Sequence, residues 1–337
     1  MWEAEEVDGV ARDAGDGGSP WRPDVLGEGY QARTLPLRPD EEGEVVATLV
    51  RRWAGGRPGT TRRAVLYLHG FVDYFFQTGL ADFHAERGWD FYALDLRKYG
   101  RSLRPHHTPN YVRSLAAYAE ELDEAVRIIR EEDGHDVVLA NAHSTGGLIL
   151  PLWAHHRAGR GLVQGLILNS PFLELNADLV TRRVASRGVE LIARRSPLWR
   201  VPSTLNVHYG HSLHRSHRGE WEYDLRWKPV EAFPVVAGWL AAVRRGHREV
   251  ARGLAVDVPI LSMSSTASGR VKVWDESIRQ LDAVLDAEAI ARLAVRLGRH
   301  VTVVRIEGGI HDLVLSAEPV RRQVYAEMAR WIDAYLA

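Results

Sequence analysis

The chain of 337 residues contains no cysteine. That absence excludes disulfides, thiolate-held zinc, iron–sulfur clusters and a cysteine nucleophile, and leaves serine as the natural side chain for covalent chemistry. Neither sign of charge dominates: 43 Lys and Arg stand against 44 Asp and Glu, a formal net charge of −1. No nucleic-acid partner is expected from such a balance. Lysine is scarce, since 40 of the 43 basic residues are Arg, which we read as genomic composition bias. The longest run without a charged side chain, Val137–His156, holds Asn141, Ser144, Thr145 and Pro151, so it makes a poor membrane span. The first twenty residues lack a basic stretch followed by an apolar one. No signal peptide or integral membrane association is therefore expected, and the expected location is cytoplasmic. Apolar residues make up 45%, enough for a large core and too many for a disordered chain.

Residues 1–28 are acidic and punctuated by Gly and Pro, and read as a mobile tail. Extended segments at Tyr30–Pro36 and Glu44–Trp53 flank the turn-forming PDEEG at 39–43 and predict a hairpin. Short apolar runs follow at Ala64–Leu68, Phe91–Leu96, Val137–Ala140, Gly165–Leu168, Pro259–Met263 and Val301–Ile306. Helical periods lie between several of them, most clearly over Leu115–Glu132. Strands apolar on both faces and joined by helical crossovers predict an α/β fold, a mainly parallel sheet flanked by helices. A last helix is expected after Ser316 as N-cap, with Val324, Met328, Trp331 and Tyr335 on its buried face. From about Phe172 to Ala251 no strand pattern occurs, but Trp199, Tyr209, Trp221, Tyr223, Trp227, Phe233 and Trp239 do. A stretch this long is not a loop in a compact domain. The expected division is a core of 29–171 and 251–337 with a mostly helical subdomain, 172–250, inserted after the sixth strand.

Ala142-His143-Ser144-Thr145-Gly146 falls between a predicted strand and a predicted helix. It approximates the G-x-S-x-G turn, in which small flanking residues let the chain reverse sharply and expose the central Ser; Ala142 replaces the first Gly. His69-Gly70-Phe71 ends an earlier strand. An acyl-transfer site needs backbone N–H groups where charge builds on the carbonyl oxygen, and the amides of Phe71 and Thr145 are the expected donors. Ser144 needs a base, and His311 lies in a Gly-rich loop after the last strand, in the order Ser, acid, His. For the acid, Asp257 is at the wrong end of its strand and Asp275 falls in a local insertion, Ser264–Leu281. Asp286 is explained as the N-cap of a helix Ala287–Leu297, leaving Asp282 as the expected acid with Asp286 as its rival.

HGF at 69–71, AHSTGG at 142–147, DAVLD at 282–286 and GGIHD at 308–312, set on this strand pattern, resemble the α/β-hydrolase superfamily. The similarity is greatest to its lysophospholipase, monoacylglycerol-lipase and serine-aminopeptidase-like group. It runs from about residue 30 to the C-terminus. The resemblance implies Ser144 as nucleophile, Asp282 as acid, His311 as base, Phe71 and Thr145 as oxyanion donors, and no cofactor or metal. The aromatic-rich 172–250 then resembles the cap of that group. Tyr74, Phe75 and Phe76, which follow the oxyanion loop, are expected to supply substrate contacts. The implied reaction is hydrolysis of an ester or lipid-like small molecule through an acyl-enzyme. Acyl transfer, lactone or peptide cleavage by the same residues, or a silent binding protein on the same fold, are the alternatives. His208, His211, His214 and His217 recur at a three-residue spacing that can hold a metal, but Gly210 interrupts the helix and no carboxylate is interleaved. No metal is expected there.

Overall fold

The computed structural model describes residues 20–176, 188–202, 207–269, 271 and 273–336. Nine strands form one sheet. They are β1 (Arg22–Pro23), β2 (Tyr30–Asp40), β3 (Gly43–Arg52), β4 (Arg63–Leu68), β5 (Asp90–Asp95), β6 (Val137–His143), β7 (Gly165–Asn169), β8 (Ile260–Ser265) and β9 (Val301–Ile306). Their order is β1-β2-β3-β5-β4-β6-β7-β8-β9. The first three pair antiparallel, β3 meets β5 antiparallel, and every later pair is parallel.

The helices among the described residues include α1 (Thr78–Glu86), α2 (Ala119–Arg127), α3 (Gly146–His156), α4 (Val207–Leu213), α5 (Ala237–Arg252), α6 (Ala287–Ala294) and α7 (Glu318–Tyr335). A turn of 3-10 helix before α2 and one of π-helix after it complete the helical stretch expected over Leu115–Glu132. The period-two alternation of β4 sorts its side chains between two layers. Ala64, Leu66 and Leu68 join the cluster built with Leu122 of α2, Leu148 and Trp153 of α3 and Val243 of α5. Val65 and Tyr67 face Leu80 of α1 and Val324, Met328 and Trp331 of α7. Both faces are thus covered, which is why these strands read as continuous apolar runs.

Several local features differ from those expected. Residues 1–19 of the expected tail lie outside the described residues, but Pro20–Gly29 are held: β1 pairs with β2, and the buried Asp24 receives Arg101 Nε and Nη2 at 2.7 and 2.8 Å. The helix α5, which falls almost wholly within the expected segment 172–250, packs against the core. Gly246 of α5 lies so close to α3 that an added Cβ would meet Leu152 Cδ1 at 2.9 Å, and Trp239, Val243 and Val250 belong to the main core. α5 lies in the crossover from β7 to β8 and packs on α3. Ser316 does not cap α7: Ala317 stands at the N-cap, Pro319 supplies the fixed first turn, and the Ser316 hydroxyl accepts the Ile310 N–H at 3.1 Å. Tyr335 is 39% exposed at the frayed end, while Val324, Met328 and Trp331 are buried. No described helix is long and apolar enough to cross a membrane.

Candidate active site

The strand β6 ends at His143 and α3 begins at Gly146, so the chain reverses in two residues. Ser144 takes a left-handed φ of 51°, which a side chain other than Gly adopts only under constraint. The constraint is visible: Ser144 N–H donates to Asn169 O at 3.0 Å, and Ser144 O accepts from Phe172 N–H at 2.9 Å. The flanking glycines are required by contact. A Cβ on Gly146 would meet His69 O at 2.5 Å, and one on Gly147 would meet Pro171 Cβ at 2.7 Å. Ala142 fits where the usual motif has Gly because its methyl is packed in the core with no exposed area.

His311 comes from the loop after β9. Its Nε2 lies 2.9 Å from Ser144 Oγ, and its Nδ1 lies 2.9 Å from Asp282 Oδ2. Asp282 is fully buried, and its other oxygen accepts the N–H groups of Val284 and Leu285 at 2.8 and 2.7 Å. These donors fix the orientation of the carboxylate. The insertion before Asp282 does not displace it, because the chain returns on itself: Asp282 N–H donates to Ala267 O at 2.9 Å and Gly269 N–H donates to Asp282 O at 3.1 Å. Asp286 instead caps α6, accepting from the Glu288 and Ala289 amides at 3.0 and 3.2 Å. That helix ends at Ala294, three residues short of the expected Leu297. Asp275 likewise caps a short 3-10 turn.

Ser144 and His311 open onto a cavity of about 570 Å³. Phe71 and Thr145 line it, and among the described residues neither of their amides has an acceptor. Most of the wall is apolar, with Phe172, Leu213, Val230 and Trp239 among its members. The Phe71 and Trp239 rings pack at a tilt of 34° with centroids 4.0 Å apart. Tyr74, Phe75 and Phe76, expected as substrate contacts, are not among the lining residues. Phe75 is fully buried among Tyr30, Tyr67 and Phe91. Tyr74 OH accepts the Asp224 N–H at 2.7 Å, and Phe76 packs on Tyr223. The loop turns them back into the fold after Val72, so only Phe71 of that aromatic run reaches the cavity.

Sequence reading missed a second polar layer at the site. Asp73, Asp312 and His143 are all buried, with His143 lining the cavity. Burial alone would lower the His143 pKa, but the carboxylates of Asp312 and Asp73 overcome it and raise it. Burial would likewise raise Asp73, yet the Lys228 ammonium and His143 hold it well below the usual carboxylate range. His69 is kept neutral chiefly by burial, accepting Leu96 N–H on Nε2 at 3.1 Å. Of the spaced histidines, His214 has both nitrogens occupied, by Ser216 Oγ at 2.7 Å and Tyr223 O at 3.1 Å.

With this geometry in place, comparison with known proteins is informative. The family model for serine aminopeptidase, S33 matches residues 59–318, well over half of the chain. The uncharacterized protein YnbC of Escherichia coli (strain K12) is 32% identical over 141 residues, which are 41% of this chain and 23% of that protein. The chain thus spans under a quarter of the curated relative it matches. Among solved structures, a monoglyceride lipase from Saccharomyces cerevisiae bound to a substrate analog has a TM-score of 0.65 at 16% identity, covering 90% of this chain and 96% of its own. A monoacylglycerol lipase from Paleococcus ferrophilus has a TM-score of 0.60 at 18% identity, covering 82% and 96%. A carboxyl esterase from Bacillus coagulans has a TM-score of 0.61 at 15% identity, covering 91% and 99%. At these identities the structures speak for the shared fold alone, and the matched family model supplies the rest: the chain belongs to the serine aminopeptidase S33 family of α/β-hydrolases.

Proposed function

We propose that the protein is a serine hydrolase that cleaves carboxylic esters of apolar, acyl-chain substrates through an acyl-enzyme on Ser144. The observation that carries this reading is the run of hydrogen bonds from Ser144 Oγ through the His311 ring to Asp282, 2.9 Å on either side of the ring. His311 Nε2 takes the Ser144 proton as Oγ attacks the ester carbonyl carbon. The N–H groups of Phe71 and Thr145 meet the charge building on the carbonyl oxygen, and Asp282 supports the imidazolium. Collapse of the intermediate expels the alcohol, which leaves with the proton held on His311. Water then attacks the acyl-enzyme with His311 as base, releasing the acid and restoring Ser144.

The segment 172–236 acts as the cap, and the apolar walls of the cavity beneath it suit an acyl chain and exclude water. Among the described lining residues no Asp or Glu is present to meet the terminal ammonium of an aminopeptidase substrate, which favours the ester. Monoacylglycerols and lysophospholipids are the acyl-chain substrates of first choice. The test is labelling with a fluorophosphonate probe, followed by p-nitrophenyl esters of graded chain length. Wild type should label and turn over these esters, and Ser144→Ala should do neither. Labelling that persists in Ser144→Ala would sink the assignment.

A further inference from the structure

The reaction above makes no use of the charged layer beside Ser144. Asp73 Oδ1 accepts from the Lys228 ammonium at 2.7 Å, and its Oδ2 lies 3.3 Å from His143 Nδ1. Asp312 accepts from Asn169 Nδ2 at 2.7 Å and from Gln77 Nε2 at 3.1 Å, and lies 3.9 Å from the same His143 nitrogen. Both amides are oriented: the Asn169 and Gln77 carbonyl oxygens accept the Leu313 and Phe76 N–H groups at 3.1 and 3.0 Å. Ammonium and amide donors thus already sit on these carboxylates. The Asp73–His143–Asp312 grouping is compensated by protein, with no need of a metal ion.

The order of the layers gives the cluster a direction. Lys228 and His143 line the cavity, while Asp73 and Asp312 lie behind them and no carboxylate is among the described lining residues. The His143 and His311 rings are 5.0 Å apart, so the cationic end of the cavity adjoins the reacting centre. An ammonium has three N–H donors. Asp73 takes one, and the rings of Phe76 and Tyr223 lie 5.6 and 5.7 Å from Nζ. His143 Nε2, on a residue that is 4% exposed, has no partner among the described residues. A cationic substrate group would be repelled by the Lys228 ammonium, whereas an anionic one would pair with the N–H donors that Asp73 does not take.

We propose that this end of the cavity is a subsite for an anionic group, a carboxylate or phosphate, carried by the ester substrate and received by Lys228 with His143. The inference rests on the reading of Ser144 as the nucleophile of an esterase. It makes Lys228 a specificity-determining residue, contributed by the cap and aimed by Asp73.

Two matched pairs locate the anion. On the alcohol side, a monoacylglycerol is compared with its 3-phosphate; on the acyl side, the mono-p-nitrophenyl ester of octanedioic acid is compared with its methyl-capped form. In one pair the wild type should favour the anionic member by about tenfold or more in kcat/KM, the worth of a charge-assisted bond. Lys228→Met should bring that ratio close to one, and Lys228→Arg should keep it. Because Lys228→Met strands the Asp73 carboxylate, the double variant Asp73→Asn, Lys228→Met is measured alongside and should lose the preference equally. Calorimetric binding of the anionic compounds to Ser144→Ala protein, with and without Lys228→Met, reads the subsite without turnover. Binding that depends on Lys228 in a protein that never labels at Ser144 would leave the subsite standing and remove the esterase reading alone. Equal rates within both wild-type pairs, a preference that survives Lys228→Met, or equal weakening of neutral and anionic ligands overturns the subsite.

Discussion

Asp282 and Asp286 stand four positions apart in DAVLD, and their surroundings give them separate tasks. Asp282 meets His311 Nδ1, whereas Asp286 spends its oxygen on the first amides of α6. If Asp282 orients the base, Asp282→Asn should lower kcat by roughly 10³- to 10⁴-fold with little loss of fold, as loss of the orienting acid does in such sites. Asp286→Ala should keep turnover but cost about 1 kcal/mol of stability through the lost cap, read from urea unfolding. The structure brings Ser144, His311 and Asp282 into one run of hydrogen bonds. The first two can be picked out in sequence because each directly follows a strand, whereas Asp282, set beyond an insertion, is reached by elimination and by resemblance, with Asp286 as its rival. Asp73 and Lys228 cannot be picked out, since 155 positions separate the two partners and neither falls in a recognisable motif. The faint clue was composition: lysine is scarce in an Arg-rich chain, yet one of the few lines the cavity.

Among the elements, strands buried on both faces announced themselves, while edges and ends did not. β1 is two residues long and has no period to read; its place is set by pairing with β2 and by the Asp24–Arg101 ion pair. The junction of β6 and α3 was legible as a motif, and its tightness makes it sensitive. Gly146→Ala should destabilise by about 1–3 kcal/mol, because the new methyl meets a backbone oxygen that cannot turn aside. A fall in Tm together with slowed fluorophosphonate labelling would be the sign. In α1, His84 is buried without a partner on either nitrogen among the described residues. Burial first, and then Arg87, push its pKa down to about 3. The unfolded chain therefore binds this proton below its ordinary pKa of about 6.5 while the folded protein does not, so stability falls with pH in that window. The loss should reach about 2 kcal/mol near pH 5. His84→Leu should flatten the dependence of the unfolding midpoint on pH between mild acid and neutrality, and an unchanged slope would refute the assignment.

At the scale of the whole molecule, the sheet supplies a rigid edge and the segment between β7 and α5 closes over it. Among the described residues the contacts are both apolar and polar. Leu213 and Tyr223 pack with Tyr74, Phe76, Ile310 and Leu315. Asp224 N–H donates to Tyr74 OH at 2.7 Å, Asp312 N–H to Tyr209 OH at 3.0 Å, Trp221 Nε1 to Leu315 O at 3.0 Å and Lys228 Nζ to Asp73 at 2.7 Å. The sequence led us to expect a segment over 172–250, and the period of α5 within it did not reveal that this helix packs on α3 and the main core. The excursion before Asp282 also leaves the sheet, and its Trp274 ring takes the Arg218 guanidinium at 4.3 Å while Arg279 donates to the Arg218 carbonyl. One stretch of chain thus touches Arg218 of the segment between β7 and α5 and returns to Asp282. If that segment is the cap and Asp282 the acid, as proposed, the cap's seating and the aim of His311 form a single linkage, and a badly fitting ester should be recorded as a fault in tempo more than in grip. Across esters of increasing branching, kcat should fall while KM changes little, and Trp274→Ala should narrow that spread by letting the cap ride up without pulling on the acid's loop.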